Sequence, residues 1–241
     1  MSDALVINEI YLSLQGESTH AGLACVFVRL TGCHLRCSYC DTAYAFRAGK
    51  RWTLEAILAE VRRLSAPFAP GSGLPLVEVT GGEPLLQHNV TALMRRLCDD
   101  GFTVLLETSG ALDISGVDPR VHRIMDLKCP SSGECDGNRW ENLACLGPRD
   151  EVKFVIATVE DYLWSKQVVL ERRLAGVCPL LFSWAGPLQP AQQDPSLRPL
   201  PPNQIRMSCR QIAERVLADS LPVRFQVQLH KHIWSPCEQG V

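Results

Sequence analysis

Cys33, Cys37 and Cys40 stand at C-x3-C-x2-C spacing, directly after an apolar, β-branched run at residues 24–30. Three thiolates can hold three irons of a cubane [4Fe–4S] cluster and leave the fourth iron open to a small molecule. That is a catalytic arrangement. An electron carrier would need a fourth cysteine at fitting spacing, and the next one, Cys98, falls inside a helical pattern. Zinc is the alternative, since the same thiolates with His34 could form a Cys3His site. His34 directly follows Cys33, however, and is poorly placed to reach the same ion.

Further polar stretches could do chemistry. Thr80-Gly81-Gly82-Glu83-Pro84 follows the apolar residues 76–79. Adjacent glycines let backbone approach a ligand closely, and the Glu83 carboxylate could pair with an ammonium. In residues 13–18, Gly16 permits a turn from whose rim Gln15 and Glu17 offer hydrogen bonds. Arg29 ends the strand that enters the cysteine loop, and its planar fork suits a carboxylate. Each of these has a plainer reading: a turn, a polar hairpin, a surface ion pair.

The elements that must position these residues alternate in type. Strands are expected at residues 4–12, 24–30, 76–79, 102–106, 122–127, 151–157, 178–183 and 223–229, the last closing the sheet. Helices are expected from a Thr53 cap to about 65, over 86–99, from about 158 to 174, and over 204–218. Residues 67–75 and 188–203, rich in Pro with Gly or Gln, read as loops. The pattern predicts an α/β fold with a mostly parallel sheet. A sheet of six to seven strands would fall short of a closed eight-stranded barrel, so an open, partial (β/α) barrel is expected, with the ligand motifs at carboxyl ends of strands. His230 and His232 would alternate across a strand and have packed or solvated roles, while Lys231 and the C-terminal tail could line a pocket.

With 241 residues and no linker or internal repeat, residues 1–241 read as one domain. Apolar residues make up 46% and charged residues 21%, an ordinary globular balance. A net charge of −2 gives no electrostatic grip on nucleic acid. No 18-residue apolar run predicts a membrane span, and the N-terminus lacks a secretory signal pattern. Eleven cysteines, an odd number, fit mostly small buried thiols in a reducing cytoplasm. Cys129, Cys135 and Cys145 could in principle hold a second cluster, although their spacing matches no compact site.

The cysteine spacing together with Gly81-Gly82-Glu83-Pro84 resembles the signature of the radical S-adenosylmethionine (SAM) superfamily. The run N-E-I-x-L-S-L-Q-G-E, followed by F-V-R-L-T-G-C and C-D-T, resembles the 7-carboxy-7-deazaguanine synthase family more closely. The resemblance implies one radical SAM domain with a substrate turn at 13–18 and a cluster loop at 31–47. It implies a [4Fe–4S] cluster on Cys33, Cys37 and Cys40, and Mg2+ at Thr42. It implies SAM contacts from Tyr39, Cys40, Asp41, Gly82, Glu83, Ser109, Asp126 and Lys128. Leu14, Gln15, Gly16, Arg29 and Thr80 would contact a pterin substrate. The implied reaction is reductive cleavage of SAM, hydrogen abstraction from carbon 6 of 6-carboxy-5,6,7,8-tetrahydropterin, ring contraction and loss of ammonia. Flavodoxin or ferredoxin would donate the electron, and a homodimer is the family's habit. A glycyl-radical activase shares the cluster loop but would need no clamp for a small carboxylate.

Overall fold

A computed structural model describes residues 3–69, 71–235 and 237–241; Met1, Ser2, Pro70 of the first Pro/Gly loop, and Pro236 lie outside them. In chain order come β1 (Ala4–Leu14), β2 (Ala24–Leu30), β3 (Lys50–Thr53), α1 (Leu54–Ser65), β4 (Leu76–Gly81) and α2 (Val90–Asp99). They are followed by β5 (Val104–Thr108), β6 (His122–Leu127), β7 (Glu151–Ile156), α3 (Val159–Glu171), β8 (Leu180–Trp184), α4 (Cys209–Ala218), β9 (Arg224–Gln226) and α5 (His230–Ile233). One open sheet runs β3-β1-β2-β4-β5-β6-β7-β8-β9.

The sheet therefore has nine strands among the described residues, where six to seven were expected. From β2 through β4 to β9 the pairing is parallel throughout, giving seven barrel strands. The extra strands are an antiparallel N-terminal layer, β1 on β2 and β3 on β1. β3 escaped the sequence reading because four residues with two cations and one apolar side chain carry no strand period. Among the described residues, no helix is long and apolar enough to cross a membrane.

Helices cover the outer face of the sheet. α1 starts where the Thr53 hydroxyl accepts from the Ala56 amide, and it buries Leu54, Ile57, Leu58 and Val61 at helical spacing. α3 carries a capping box between Thr158 and Asp161. Strand alternation divides the chemistry between the two faces. Val26, Val28, Val77, Val79, Val104, Leu106, Val152 and Phe154 point into the main core beneath the helices. Their neighbours Arg29, Glu78, Thr80, Glu107, Asp126 and Lys153 point to the inner face of the partial barrel. A smaller apolar cluster of Cys25, Phe27, Leu76, Leu105 and Ile124 lines that inner face lower down.

The bottom of the barrel is closed by the chain itself. The turn after β1 folds under the sheet, where Thr19 donates from its amide and hydroxyl to Glu151 at the start of β7. The C-terminal end differs from the expected strand at 223–229. β9 has only three residues, and His230 and His232 lie in the short helix α5. Two residues apart on a helix they do not share a face. His230 is half-buried and His232 exposed.

Candidate active site

The inner face opens into a cavity of about 240 Å³. It is lined by all three loop cysteines, Tyr39, Asp41, Thr42, Thr80, Gly82, Ser109, Asp126 and Lys128. Leu14, Gln15, Gly16 and Arg29 line it too. Of the residues that the family resemblance assigns to cluster, SAM, Mg2+ or substrate, only Glu83 stays outside the lining, so strand ends far apart in the chain converge on one space.

The cysteine loop is pinned from two sides. The Gly82 amide donates to Leu30 O (3.3 Å) and the Glu83 amide to Gly32 O (2.9 Å). This close approach requires glycine at 82, since a Cβ there would sit 2.6 Å from the Cys33 Cβ. On the other side Ser38 donates to Ser132 O and Ser131 O, and the Arg36 amide donates to Glu134. The Arg36 guanidinium donates to Cys33 O and Leu35 O and lies over the Phe46 ring.

Burial pushes the Cys37 thiol up to about 11 and the Cys40 thiol to about 12, and it raises Cys33 as well. These thiols are not pre-ionised nucleophiles. A bound metal centre would have to draw the protons off, which is how thiolate ligands form. Among the described residues, no three His, Cys, Asp or Glu side chains sit closely enough to hold a single ion. Tetrahedral zinc, with Zn–S near 2.3 Å, needs sulfurs within about 4 Å of one another. Three thiols round one cavity suit a cluster whose fourth iron stays open. His34 is exposed and does not join them. Cys129 is fully buried against the Ser165 hydroxyl (Sγ to Oγ 3.4 Å), away from any cavity.

Beside the loop, Lys128 Nζ donates to Asp126 Oδ2 at 2.6 Å. Asp126 Oδ1 and the Tyr39 hydroxyl are buried without a hydrogen-bond partner. Both residues line the cavity, and unpaired buried polar atoms there call for a polar ligand. An amino acid moiety such as that of SAM fits the donor and acceptor types present. Thr42 Oγ1 donates to Asp41 Oδ1 at 2.9 Å, a hard-oxygen pair of the kind magnesium accepts. Burial works to raise the Asp41 carboxyl, but the Lys231 ammonium overrides it and holds the group below the usual carboxylate range.

Glu83, expected at SAM, is committed to partners within the protein. Its carboxylate is fully buried and takes four donors: Leu85 N and Thr108 Oγ1 on Oε1, Ser109 N and Ser109 Oγ on Oε2. No acceptor is left for an ammonium in the cavity. Glu83 instead braces the ends of β4 and β5 against each other, and Gly82 is the residue that faces the cavity.

Arg29 is also partly committed. Its Nε donates to Glu9 Oε1 (2.7 Å) and its Nη2 to the Tyr11 hydroxyl (3.0 Å). Tyr44 donates to the same Glu9 oxygen (2.8 Å). Burial raises the Tyr11 and Tyr44 phenols, so both remain neutral donors.

The floor holds a network that motif reading missed. Buried Lys153 bridges Glu17 and Glu107. Gln15 donates through Nε2 to Glu78. Gln228 donates to Glu17 at 2.8 Å. Burial and the neighbouring Glu107 push the Glu78 carboxyl well above the ordinary carboxyl range. Burial would lower Lys153, but Glu107 and Glu17 override it and keep it charged. The missed signal was a charged residue within each otherwise apolar strand, since an interior strand of a parallel sheet is normally apolar on both faces. The roof comes from the C-terminal segment: His230, Lys231, Ser235, Glu238 and Gly240 line the cavity. His230 packs so closely on Gly16 that a Cβ there would lie 2.6 Å from its Nδ1.

Comparison with known proteins agrees with this geometry. Residues 27–130 match the Radical SAM superfamily. A 7-carboxy-7-deazaguanine synthase of Chlorobaculum tepidum is 45% identical over 98% of this chain and 97% of its own. One from Koribacter versatilis is 42% identical over 98% of this chain and 99% of its own. The crystal structure of QueE from Escherichia coli, 21% identical, covers 94% of this chain and 95% of its own with a TM-score of 0.66, and shares the fold. Identity of this extent across nearly the whole length identifies the chain as a member of the 7-carboxy-7-deazaguanine synthase family of radical SAM enzymes.

Proposed function

We propose that the chain converts 6-carboxy-5,6,7,8-tetrahydropterin to 7-carboxy-7-deazaguanine with loss of ammonia, on the route to queuosine and other 7-deazapurines. The observation that carries the reading is one cavity holding the three-thiol loop, a cationic clamp at Arg29 and a carboxyl floor. Cys33, Cys37 and Cys40 would ligate the cluster, with Tyr39, Cys40, Asp41, Gly82, Ser109, Asp126 and Lys128 about SAM and Thr42 on Mg2+. When bound, the cluster and SAM supply reductive bond cleavage and a carbon radical able to abstract hydrogen.

The chain's own residues do the rest. Arg29 offers the substrate carboxylate the part of its fork not taken by Glu9 and Tyr11. The aminopyrimidinone end of a pterin presents N–H donors, and the carboxyl oxygens of Glu17 and Glu107 offer acceptors for them. The raised Glu78 carboxyl favours its protonated form beside Glu107, which eases the crowding of negative charge on the floor. Leu14, Gly16 and Thr80 shape the walls together with His230, Lys231 and the end of the C-terminal segment. The Arg29 clamp in the cavity disfavours a glycyl-radical activase, which needs no grip on a small carboxylate. A flavodoxin or ferredoxin donor, and assembly as a homodimer in the cytoplasm, belong to the same proposal by family resemblance.

Anaerobic reconstituted protein with SAM and reductant should form 5′-deoxyadenosine only when 6-carboxytetrahydropterin is present, with a deazapurine appearing in step. Cleavage of SAM that ignores the pterin would discard the substrate and keep the superfamily. No cleavage by a protein with a full cluster would discard the enzyme reading.

A further inference from the structure

β1 runs antiparallel to β2, and after a register shift between Ile7 and Glu9 it sets Glu9 opposite Arg29. The irregularity brings an acid beside the one arginine of β2. Glu9 Oε1 accepts from Arg29 Nε at 2.7 Å and from the Tyr44 hydroxyl at 2.8 Å. Tyr44 belongs to the short turn Ala43–Phe46, one residue beyond Thr42. A single carboxylate oxygen thus joins β1, β2 and the end of the cysteine loop. Tyr11, Arg29 and Tyr44 line the cavity, whereas Glu9 stands behind them. The side chains of Arg29 and Glu9 are only 14% and 17% exposed, so water competes weakly for this pair. The guanidinium's bonds to Glu9 and Tyr11 run through Nε and Nη2, and Nη1 takes part in neither.

We propose that Glu9 is the positioning residue for Arg29. It takes the Nε edge of the guanidinium and leaves Nη1 as the edge presented to an anionic oxygen of the substrate. Through Tyr44 it also ties the height of the clamp to the loop carrying the cysteines and Thr42. A buried guanidinium without such a partner would turn to the other acceptors of the cavity, including Glu78 and Glu107 on the same inner face. The clamp would then be lost although its charge remained. A long side chain with several rotors needs this restraint, because orientation rather than charge decides whether two parallel hydrogen bonds can form. The inference rests on the reading of Arg29 as the carboxylate clamp, and goes beyond it by naming what sets its direction.

The test compares binding of 6-carboxytetrahydropterin with binding of its neutral 6-carboxamide. Reconstituted enzyme with SAM and no reductant, in anaerobic calorimetry, gives both constants without turnover. Glu9→Met should weaken the carboxylate ligand about tenfold or more and leave the carboxamide and SAM nearly unchanged. Glu9→Gln, which keeps an acceptor for Nε, should restore most of the preference. Tyr44→Phe, a milder change, should lower it about threefold, and it stands in if Glu9→Met does not fold. Equal weakening of both ligands by Glu9→Met would mean general loosening and would overturn the proposal. Arg29→Ala separates the two levels. If it leaves the carboxylate preference intact, the clamp reading itself fails. If it abolishes that preference while Glu9→Met and Tyr44→Phe keep it, Glu9 does not position the clamp.

Discussion

Replacing Glu83 by Gln distinguishes a brace from a ligand. The wild-type carboxylate has two oxygens and four donors, each oxygen serving one backbone amide and one hydroxyl. Glutamine turns one oxygen into an NH2 group that cannot accept. Whichever way the amide faces, the hydroxyl on that side can rotate and accept from it. The backbone N–H on that side cannot. One amide, Leu85 N or Ser109 N, is therefore left without a partner. A buried unpaired donor costs about 1–3 kcal/mol, and a hydrogen bond to a charged acceptor is worth about 1.5–3 kcal/mol. Because Leu85 is less buried than Ser109, the amide should face Leu85, and the combined loss should be about 2–4 kcal/mol. For a chain of this length that lowers Tm by roughly 5–15 °C. Anaerobic thermal melts of the reconstituted protein, with SAM binding measured in parallel, form the assay. A brace predicts the fall in Tm with SAM affinity changed only a few-fold. An unchanged Tm with SAM bound tenfold more weakly would refute the brace and return Glu83 to the ligand set.

Other expected outcomes follow from the same geometry. Cys33→Ala, Cys37→Ala or Cys40→Ala should each abolish the brown absorbance of reconstituted protein, while Cys98→Ala, in α2, should keep it; a full cluster in any of the first three would remove that cysteine from the ligand set. Lys153→Met leaves Glu17 and Glu107 facing each other without their shared cation. It should cost roughly 2–4 kcal/mol in urea denaturation, toward the lower end for a broken buried pair because Glu107 keeps some contact with water. An unchanged urea midpoint would mean that the network contributes nothing to stability. In the fold Glu78 titrates well above the roughly pH 4.3 at which it loses its proton when unfolded. Its contribution is therefore fully present below that pH and declines as pH rises toward the raised folded value. Glu78→Gln removes that decline and should raise Tm at pH 8 more than at pH 5, whereas an equal change at both would show that Glu78 is ionised in the fold.

Much of this molecule was legible along the chain because its chemistry is local. Three cysteines within eight residues can meet at one centre whatever the rest of the chain does, and a Gly-Gly pair ending a strand marks a close backbone approach. Helix starts were equally local, as the Thr53 cap shows, because a cap and its donor lie within one turn. Other features depended on partners far away in sequence. A four-residue edge strand exists only because β1 offers it a ladder, so nothing in residues 50–53 announces it. Glu83 reads as a ligand in its motif and becomes a brace because Thr108 and Ser109, on the next strand, reach its carboxylate before any ligand can. The floor of Glu17, Glu78, Glu107 and Lys153 draws on the turn after β1 and on β4, β5 and β7, and only the pairing of those strands into one sheet gathers them. Sequence determined which groups are available and which short loops can gather them. The tertiary structure decided which of those groups face the cavity, because strand pairing sets direction and burial leaves each polar atom to whichever partner is nearest.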